Sequence, residues 1–101
     1  MIARTWRARA TVAKAPAYAR HFTETVVPQL KTLPGHRGAY LLRRELHSGI
    51  EFVALTLWES RASIEAFAGK DISRSHVEPE GQAALESFDD FADHYEVATA
   101  N

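Results

Sequence analysis

The chain contains no cysteine, which excludes disulfide bonds, thiolate metal ligands and redox chemistry at sulfur. Its net charge is only −1 and its basic residues are dispersed, so neither nucleic acid nor an anionic membrane is an expected partner. No apolar run reaches the roughly 20 residues that a membrane-spanning helix needs. The first residues lack the apolar core of a signal peptide, and we therefore expect a cytoplasmic protein.

The usual cofactor and metal motifs are also missing. The five glycines are scattered and form no phosphate-binding loop. The five histidines show no metal-ligand spacing, and no serine lies in a nucleophile elbow. We therefore expect no metal and no bound cofactor, so any redox activity would be cofactor-free or would use a haem.

What the chain does contain is the element order of one βαββαβ domain covering residues 1–101. Alternating apolar and polar residues predict strands over 2–11, 37–46, 50–58 and 91–97, with the third strand at the centre. Helical spacing predicts helices over 15–30 and 61–68. Ser60 is a predicted helix cap and Gly69 a stop, Pro28 should kink or end the first helix, and Pro79 should break a late helical segment.

This order predicts an α+β, ferredoxin-like fold with a four-stranded antiparallel sheet. Helices cover one face of such a sheet, and the other face meets water or a partner. Because both predicted faces carry large apolar side chains, we expect a homodimer that packs through the sheet faces.

Aromatic and basic side chains on the strands predict a small-molecule pocket. Trp6, Tyr40 and Trp58 lie on three different strands, and Trp58 ends its strand just before a helix. Arg4 and Arg43 are charges on strands, which are costly to bury without a partner. An apolar pocket with a few converging polar groups is the usual site for a small molecule.

The histidines supply the candidate catalytic groups. His76 lies in an irregular stretch after the second predicted helix, where side chains often line sites. His94 and its neighbour Tyr95 lie on the last strand. The pattern places His36 and His47 in exposed turns and His21 at the polar edge of the first helix.

The chain resembles the antibiotic biosynthesis monooxygenase superfamily of dimeric α/β barrels. The resemblance is carried by five short segments in a matching order: Ile2-Ala3-Arg4-Thr5-Trp6, Leu33-Pro34-Gly35, Leu55-Thr56-Leu57-Trp58-Glu59-Ser60, Ile64-Glu65-Ala66-Phe67 and His94-Tyr95-Glu96-Val97. It implies a homodimer with a pocket between sheet and helices.

Members of the superfamily include cofactor-free oxygenases of aromatic substrates, and the resemblance implies such a role here. The expected substrate is a small aromatic or quinol-like molecule, with His76, His94 or Tyr95 as base and Arg4 or Arg43 stabilising the anion. The aromatic lining would come from Trp6, Tyr40, Trp58 and Phe67.

Two alternatives use the same fold. The first is a non-catalytic ligand-binding or accessory protein, because no strong catalytic set stands out. The second is a haem-binding or haem-degrading protein, since His76 lies within one residue of the axial histidine position of that branch. However, the first strand lacks the asparagine of that branch, and Phe67 occupies the place of its catalytic tryptophan.

Overall fold

The computed structural model describes residues 1–101, which form an antiparallel sheet with helices on one face. Three long strands are joined to two short ones, and a helical connection follows the first and the third long strand. The elements are β1 (Ile2–Ala10), α1 (Ala15–His21), a π-helical turn (Phe22–Val26), α2 (Val27–Lys31), β2 (His36–Leu46), β3 (Gly49–Trp58), α3 (Arg61–Ala68), α4 (Pro79–Ala83), β4 (Ser87–Phe88) and β5 (Asp93–Glu96).

The sheet has the ferredoxin-like order, with β3 between β2 and β1 and with β4 and β5 both on the far side of β1. All pairings are antiparallel, and Ile2 lies opposite Trp58 in the β1–β3 ladder. The predicted fold class and the central position of the third strand are therefore confirmed. None of the helices combines the length and the apolar character that a membrane crossing requires.

The fourth strand predicted over 91–97 is present as the shorter β5, and a second short strand, β4, precedes it, so the sheet has five strands. Pro79 opens α4 instead of breaking a helix. A proline is tolerated in the first turn of a helix, where its missing N–H would have no intrahelical acceptor. After α4 the chain pairs with β1 at Ala8 and Arg9 and then again at residues 2–5.

The first helix also continues further than Pro28 suggested. A π-helical turn at residues 22–26 precedes the proline, and α2 then runs on to Lys31. Proline cannot donate to the carbonyl group of Glu24, and the wider π-helical turn accommodates this loss without ending the helix. Such turns often lie at functional sites.

Alternation along the strands directs one set of side chains under the helices. The core on that face has two clusters, one around Phe22, Ile50 and Phe52 and one around Trp58, Leu30 and Ile64. Ser60 caps α3 as predicted, because its Oγ accepts from the Ser63 N–H at 3.2 Å and Ser63 reciprocates. The cap starts α3 immediately after Trp58 and so fixes the helix over the sheet.

Candidate functional site

A pocket that is open to solvent lies between the helix-facing side of the sheet and the helices. Its floor comes from β1 and β3, one wall from α1 to α2, and another from α3 and the loop before α4. The lining residues are Arg4, Trp6, Tyr18, His21, Phe22, Val26, Leu30, Ala54, Thr56, Phe67, His76, Val77 and Glu78. Most of the lining is apolar, as expected for a small-molecule site.

Arg4 is the buried cation of this pocket, with only 4% of its surface exposed. Its Nη1 donates to the Ile72 carbonyl oxygen, and its Nη2 donates to the Arg74 carbonyl oxygen at 2.8 Å. Both acceptors belong to the loop that leads to His76. The guanidinium group therefore holds that loop against β1 while it lines the pocket.

No carboxylate neutralises Arg4. The two arginine–carboxylate pairs of the structure are Arg37–Glu59 and Arg44–Glu51, and neither includes Arg4. Burial lowers the pKa of Arg4 to about 10, so the side chain still carries its charge at neutral pH. A buried cation that is satisfied only by neutral acceptors favours an anion in the adjoining space.

His94 contacts Arg4 from β5, with 3.0 Å between His94 Nε2 and Arg4 Nη1. Arginine only donates, so Nε2 is the acceptor and the ring proton lies on Nδ1. Burial, followed by the charges of Arg4 and Arg61, lowers the pKa of His94, which keeps the ring neutral. The Nε2 lone pair of His94 is thus already occupied by Arg4.

An aromatic row connects Trp58 to the pocket mouth. Trp58 is fully buried beneath the pocket, and its indole N–H donates to Thr56 Oγ1 at 2.8 Å. Its ring lies 6.1 Å from that of Phe67, and Phe67 contacts the His76 ring edge-on at 5.0 Å. The Arg4 guanidinium carbon lies 6.0 Å from the Phe67 ring centre, within the range of a cation–π contact.

Trp6 and Tyr18 form the other aromatic wall, with 6.4 Å between their ring centres. The Trp6 indole N–H donates to the Asp89 carbonyl oxygen at 2.7 Å, and its ring packs on Phe88. Burial raises the pKa of Tyr18 to about 12, so its phenol stays neutral. The wall is therefore aromatic and uncharged.

The structure brings four of the predicted site residues to the pocket lining: Arg4, Trp6, Phe67 and His76. Trp58 and His94 lie behind the lining and support Thr56, Phe67 and Arg4. His76 is exposed, so it lies at the mouth of the pocket and not in its interior.

Three predicted site residues lie outside the pocket, which corrects their expected placement. Tyr40 and Tyr95 have 55% and 56% of their surfaces exposed and point to the face of the sheet that carries no helix. Arg43 pairs with Phe52 near the hairpin end of β2 and is also exposed, away from the lining residues. Strand alternation separates Tyr40 and Tyr95 from the pocket, whereas Arg43 shares the face of Phe52 and is separated by its position near the hairpin end of β2.

The sequence patterns did not predict four polar residues of the pocket lining: Tyr18, His21, Thr56 and Glu78. His21 was expected at a polar helix edge, but it is 6% exposed, because α4 packs on it through Gly81. A contact between segments 60 residues apart leaves no local pattern. His36 is also half-buried, edge-on to Trp58 at 5.3 Å, and not in an exposed turn.

These features define a class: a ferredoxin-like α+β domain with an aromatic pocket and one buried, uncompensated cation. The chain belongs to the antibiotic biosynthesis monooxygenase family, whose model matches residues 1–79. That match includes the pocket lining up to Glu78 and ends before β4 and β5.

Solved structures show the same fold. A protein from Bacillus cereus, whose assignment as an antibiotic biosynthesis monooxygenase is provisional, aligns with a TM-score of 0.66 at 16% identity, covering 100% of this chain and 94% of that one. A Deinococcus radiodurans protein with the same provisional assignment gives a TM-score of 0.65 at 13% identity, with 100% and 96% covered. No curated protein matches the chain.

Proposed function

We propose that this protein is a cofactor-independent monooxygenase that oxidises a small phenolic or quinol-like aromatic molecule in the pocket. The observation that carries the proposal is Arg4, a buried guanidinium group without a carboxylate partner that lines an aromatic cavity. A phenolate oxygen supplies the missing negative charge, and its ring suits the space between Trp6, Tyr18 and Phe67. Membership of the family supports a role in oxygenation.

The proposed reaction uses molecular oxygen as its only oxidant. A base takes the phenolic proton, and Arg4 stabilises the phenolate, which increases electron density at the ring carbon that reacts with oxygen. One oxygen atom then replaces hydrogen on that carbon, and the other leaves as water with the two hydrogens lost by the substrate. The substrate loses four electrons to become a quinone, and one oxygen molecule accepts four.

The predicted catalytic residues take different parts in this proposal. His76 reaches the pocket mouth and remains a candidate base. His94 is better suited to position Arg4, because its Nε2 lone pair faces the guanidinium group. Tyr95 lies on the opposite side of the sheet, so we assign it to the proposed dimer interface.

Oxygen uptake with a panel of hydroxynaphthalenes tests the proposal. We expect consumption of one oxygen molecule for each naphthoquinone formed, and labelled oxygen gas should place one labelled atom in the product. His76→Gln and His94→Gln should lower the rate, whereas His47→Gln in the exposed hairpin turn serves as the matched control. A wild-type protein that consumes no oxygen with any member of the panel would contradict the proposal.

The second candidate function is ligand binding without catalysis, which the exposure of His76 favours because a solvated base gains little from the pocket. Quenching of tryptophan fluorescence by hydroxynaphthalenes with no oxygen uptake would support this alternative. A hemin titration tests the haem alternative in the same samples. A Soret shift that His76→Ala abolishes would favour haem binding over both other functions.

We also propose a homodimer through the face of the sheet that carries no helix. Tyr40, Leu42 and Tyr95 on this face are each about half-exposed. Leu55 and Leu57 on β3 and Ala3 on β1 lie between them, so the patch extends across four strands. A second copy with the same apolar face would cover the patch symmetrically.

Light scattering should give twice the 11.3 kDa chain mass. Leu42→Glu should yield the monomer, because it places a charge within the apolar patch. Val12→Glu is the control, since Val12 is 70% exposed and lies in the loop after β1. A wild-type monomer would overturn the proposed assembly.

A further inference from the structure

His21 is a buried imidazole for which the fold offers no hydrogen-bond partner. Its side chain is only 4% exposed, and its Nδ1 is buried without a donor or an acceptor. The residue lines the pocket on the helix side, opposite the layer that carries Arg4. Buried polar atoms in native proteins are nearly always paired, so an unpaired one in a pocket requires an explanation.

The nearest charged group to Nδ1 is the Glu80 carboxylate on α4, at 3.8 Å. This distance is roughly 1 Å longer than a hydrogen bond, so a small movement of the exposed Glu80 side chain would join the two atoms. Gly81 permits the approach, because a Cβ atom there would lie 3.0 Å from His21 Nε2. Glu80 and Gly81 lie beyond the residues that the family model matches.

His21 and His76 differ in their exposure to water, which affects how well each could act as a base. His76 is exposed at the mouth, and its ring edge packs on Phe67. His21 is shielded from water and has a carboxylate on the side of Nδ1. A carboxylate that accepts from Nδ1–H leaves Nε2 as the free acceptor and stabilises the imidazolium ion that forms.

We propose that His21 is the base that accepts the phenolic proton of the substrate and that Glu80 is its positioning residue. The inference rests on the proposed monooxygenase function. In the step, the substrate O–H bond breaks, a bond forms between that proton and His21 Nε2, and the electron pair stays on the substrate oxygen. Arg4 on the opposite layer then faces the new phenolate.

Several titratable groups surround His21 and bear on the pH dependence. The charged or titratable residues that share the pocket or pack on the ring are Arg4, Tyr18, His76, Glu78 and Glu80. Tyr18 is neutral because burial raises its pKa to about 12. Glu78 lies in the loop before α4 and Glu80 lies in α4, so substituting each residue separately distinguishes their effects on the pH dependence of activity.

Oxygen-uptake kinetics of four variants test the inference. His21→Gln should lower kcat/KM by about 100-fold or more, as expected for loss of a general base, whereas His76→Gln should lower it by less than about fivefold. Glu80→Gln should cost about three- to tenfold and move the acidic limb of the kcat/KM profile to lower pH. Glu65→Gln, an exposed glutamate of α3 without an ion pair, should leave both unchanged.

Histidine nitrogen NMR of the full chain supplies a readout independent of turnover. We expect the His21 proton on Nδ1 in the wild-type protein and in Glu65→Gln, and a larger population of the Nε2–H tautomer in Glu80→Gln. Because His21 is buried, the fold of His21→Gln is checked by its melting temperature. Should the variant fail to fold, Glu80→Gln and the NMR tautomer decide the question.

Each failure has a distinct signature. Absence of oxygen uptake by the wild-type protein overturns the proposed function and the role of base with it. Wild-type activity that survives in His21→Gln, or that is lost in His76→Gln by 100-fold, overturns only the inference about His21. A proton on Nε2 of His21 in the wild-type protein, or tautomer populations that Glu80→Gln does not change, overturns the role of Glu80.

Discussion

Two regions share the helix-facing side of the sheet and differ in whether their unpaired polar groups reach the pocket. Around Trp58 the interior is closed: the indole N–H has its acceptor in Thr56, and the unpaired Nε2 of His36 belongs to a ring packed edge-on to Trp58, outside the pocket lining. Around Arg4 the interior is open, with a cation that has no carboxylate partner and His21 with an unpaired Nδ1. Both regions are built from β1, β3 and the helices, so the fold alone does not explain the difference.

The Trp58 region contains residues that stabilise the fold, whereas the Arg4 region contains residues that are available to bind a ligand. A satisfied polar atom in a packed core stabilises one conformation. An unpaired polar atom lowers the stability of the folded protein, and a ligand that forms a hydrogen bond or ion pair with this atom recovers that free energy on binding. Substitutions in the first region should therefore change unfolding, and those in the second should change binding and turnover.

The largest effect should come from Trp58→Ala. The side chain is fully buried between Phe67, His36 and the α2–α3 core, and its loss should lower the free energy of unfolding by about 3–5 kcal/mol. Urea denaturation followed by circular dichroism measures this change. Val12→Ala at an exposed position should cost less than about 0.5 kcal/mol. Equal stability of Trp58→Ala and wild type would contradict a packed core.

Arg4→Met should have the opposite profile. It keeps the length of the side chain but removes the charge, so oxygen uptake should fall by about 100-fold, the typical effect of losing one preorganised donor to a developing oxyanion. Unfolding should change less than in Trp58→Ala, because the hydrogen bonds lost to the Ile72 and Arg74 carbonyl oxygens are offset in part by removal of a buried charge that has no carboxylate partner. Arg7→Met, on the same strand but exposed on the other face, is the matched control. Undiminished oxygen uptake by Arg4→Met would contradict the proposal that Arg4 stabilises a phenolate.

Ser60→Ala should give a smaller loss on the Trp58 side. It removes the cap of α3, and we expect about 1 kcal/mol less stability in thermal or urea unfolding. Ser48→Ala in the hairpin turn is the control. If Ser60→Ala also lowers oxygen uptake while the variant remains folded, α3 positions Phe67 for activity, and the Trp58 region does not serve stability alone.

The smallest effect should be a weak dependence of stability on pH. Burial lowers the pKa values of His36, beside Trp58, and of His94, beside Arg4. The unfolded chain therefore binds protons before the native state does, and stability present above about pH 6.5 is lost as the pH falls through the lowered values. We expect less than about 1 kcal/mol between about pH 7.5 and pH 5.5, because both rings are partly solvated.

Urea titrations of His36→Gln and His94→Gln at both pH values should each show a smaller loss than wild type. His47→Gln, in the exposed turn, should match wild type. An increase of wild-type stability on acidification would contradict the direction of both shifts.

The fold was predictable because its signals are local. Alternation along 2–10 and 49–58 gives the faces of β1 and β3, and Ser60 with Gly69 delimits α3 at the predicted residues. The end of the chain was not predictable to the same degree. Its two short strands have few residues to alternate, and their pairing with β1 depends on contacts more than 70 residues away.

The pocket was predictable only in part, for the same reason. Arg4 and Trp6 follow from strand alternation, and Phe67 follows from the helix that Ser60 starts. Tyr40 was wrongly predicted to line the pocket because it is an aromatic residue on a strand. Its position in β2 puts the side chain on the other face of the sheet. His21 was missed because the α4 contact that buries it comes from residues far along the chain.

The most direct test of the account is the affinity of the pocket for an anion against its neutral isostere. Isothermal titration calorimetry of 1-naphthoate and 1-naphthamide with wild type, Arg4→Met and Arg7→Met separates the contribution of the ligand's charge to binding from that of its ring. We expect wild type and Arg7→Met to bind 1-naphthoate at least about tenfold more tightly than the amide, a difference of about 1.4 kcal/mol, and Arg4→Met to bind the two alike. Equal affinities in wild type would contradict the claim that Arg4 makes this pocket a site for anionic aromatic molecules.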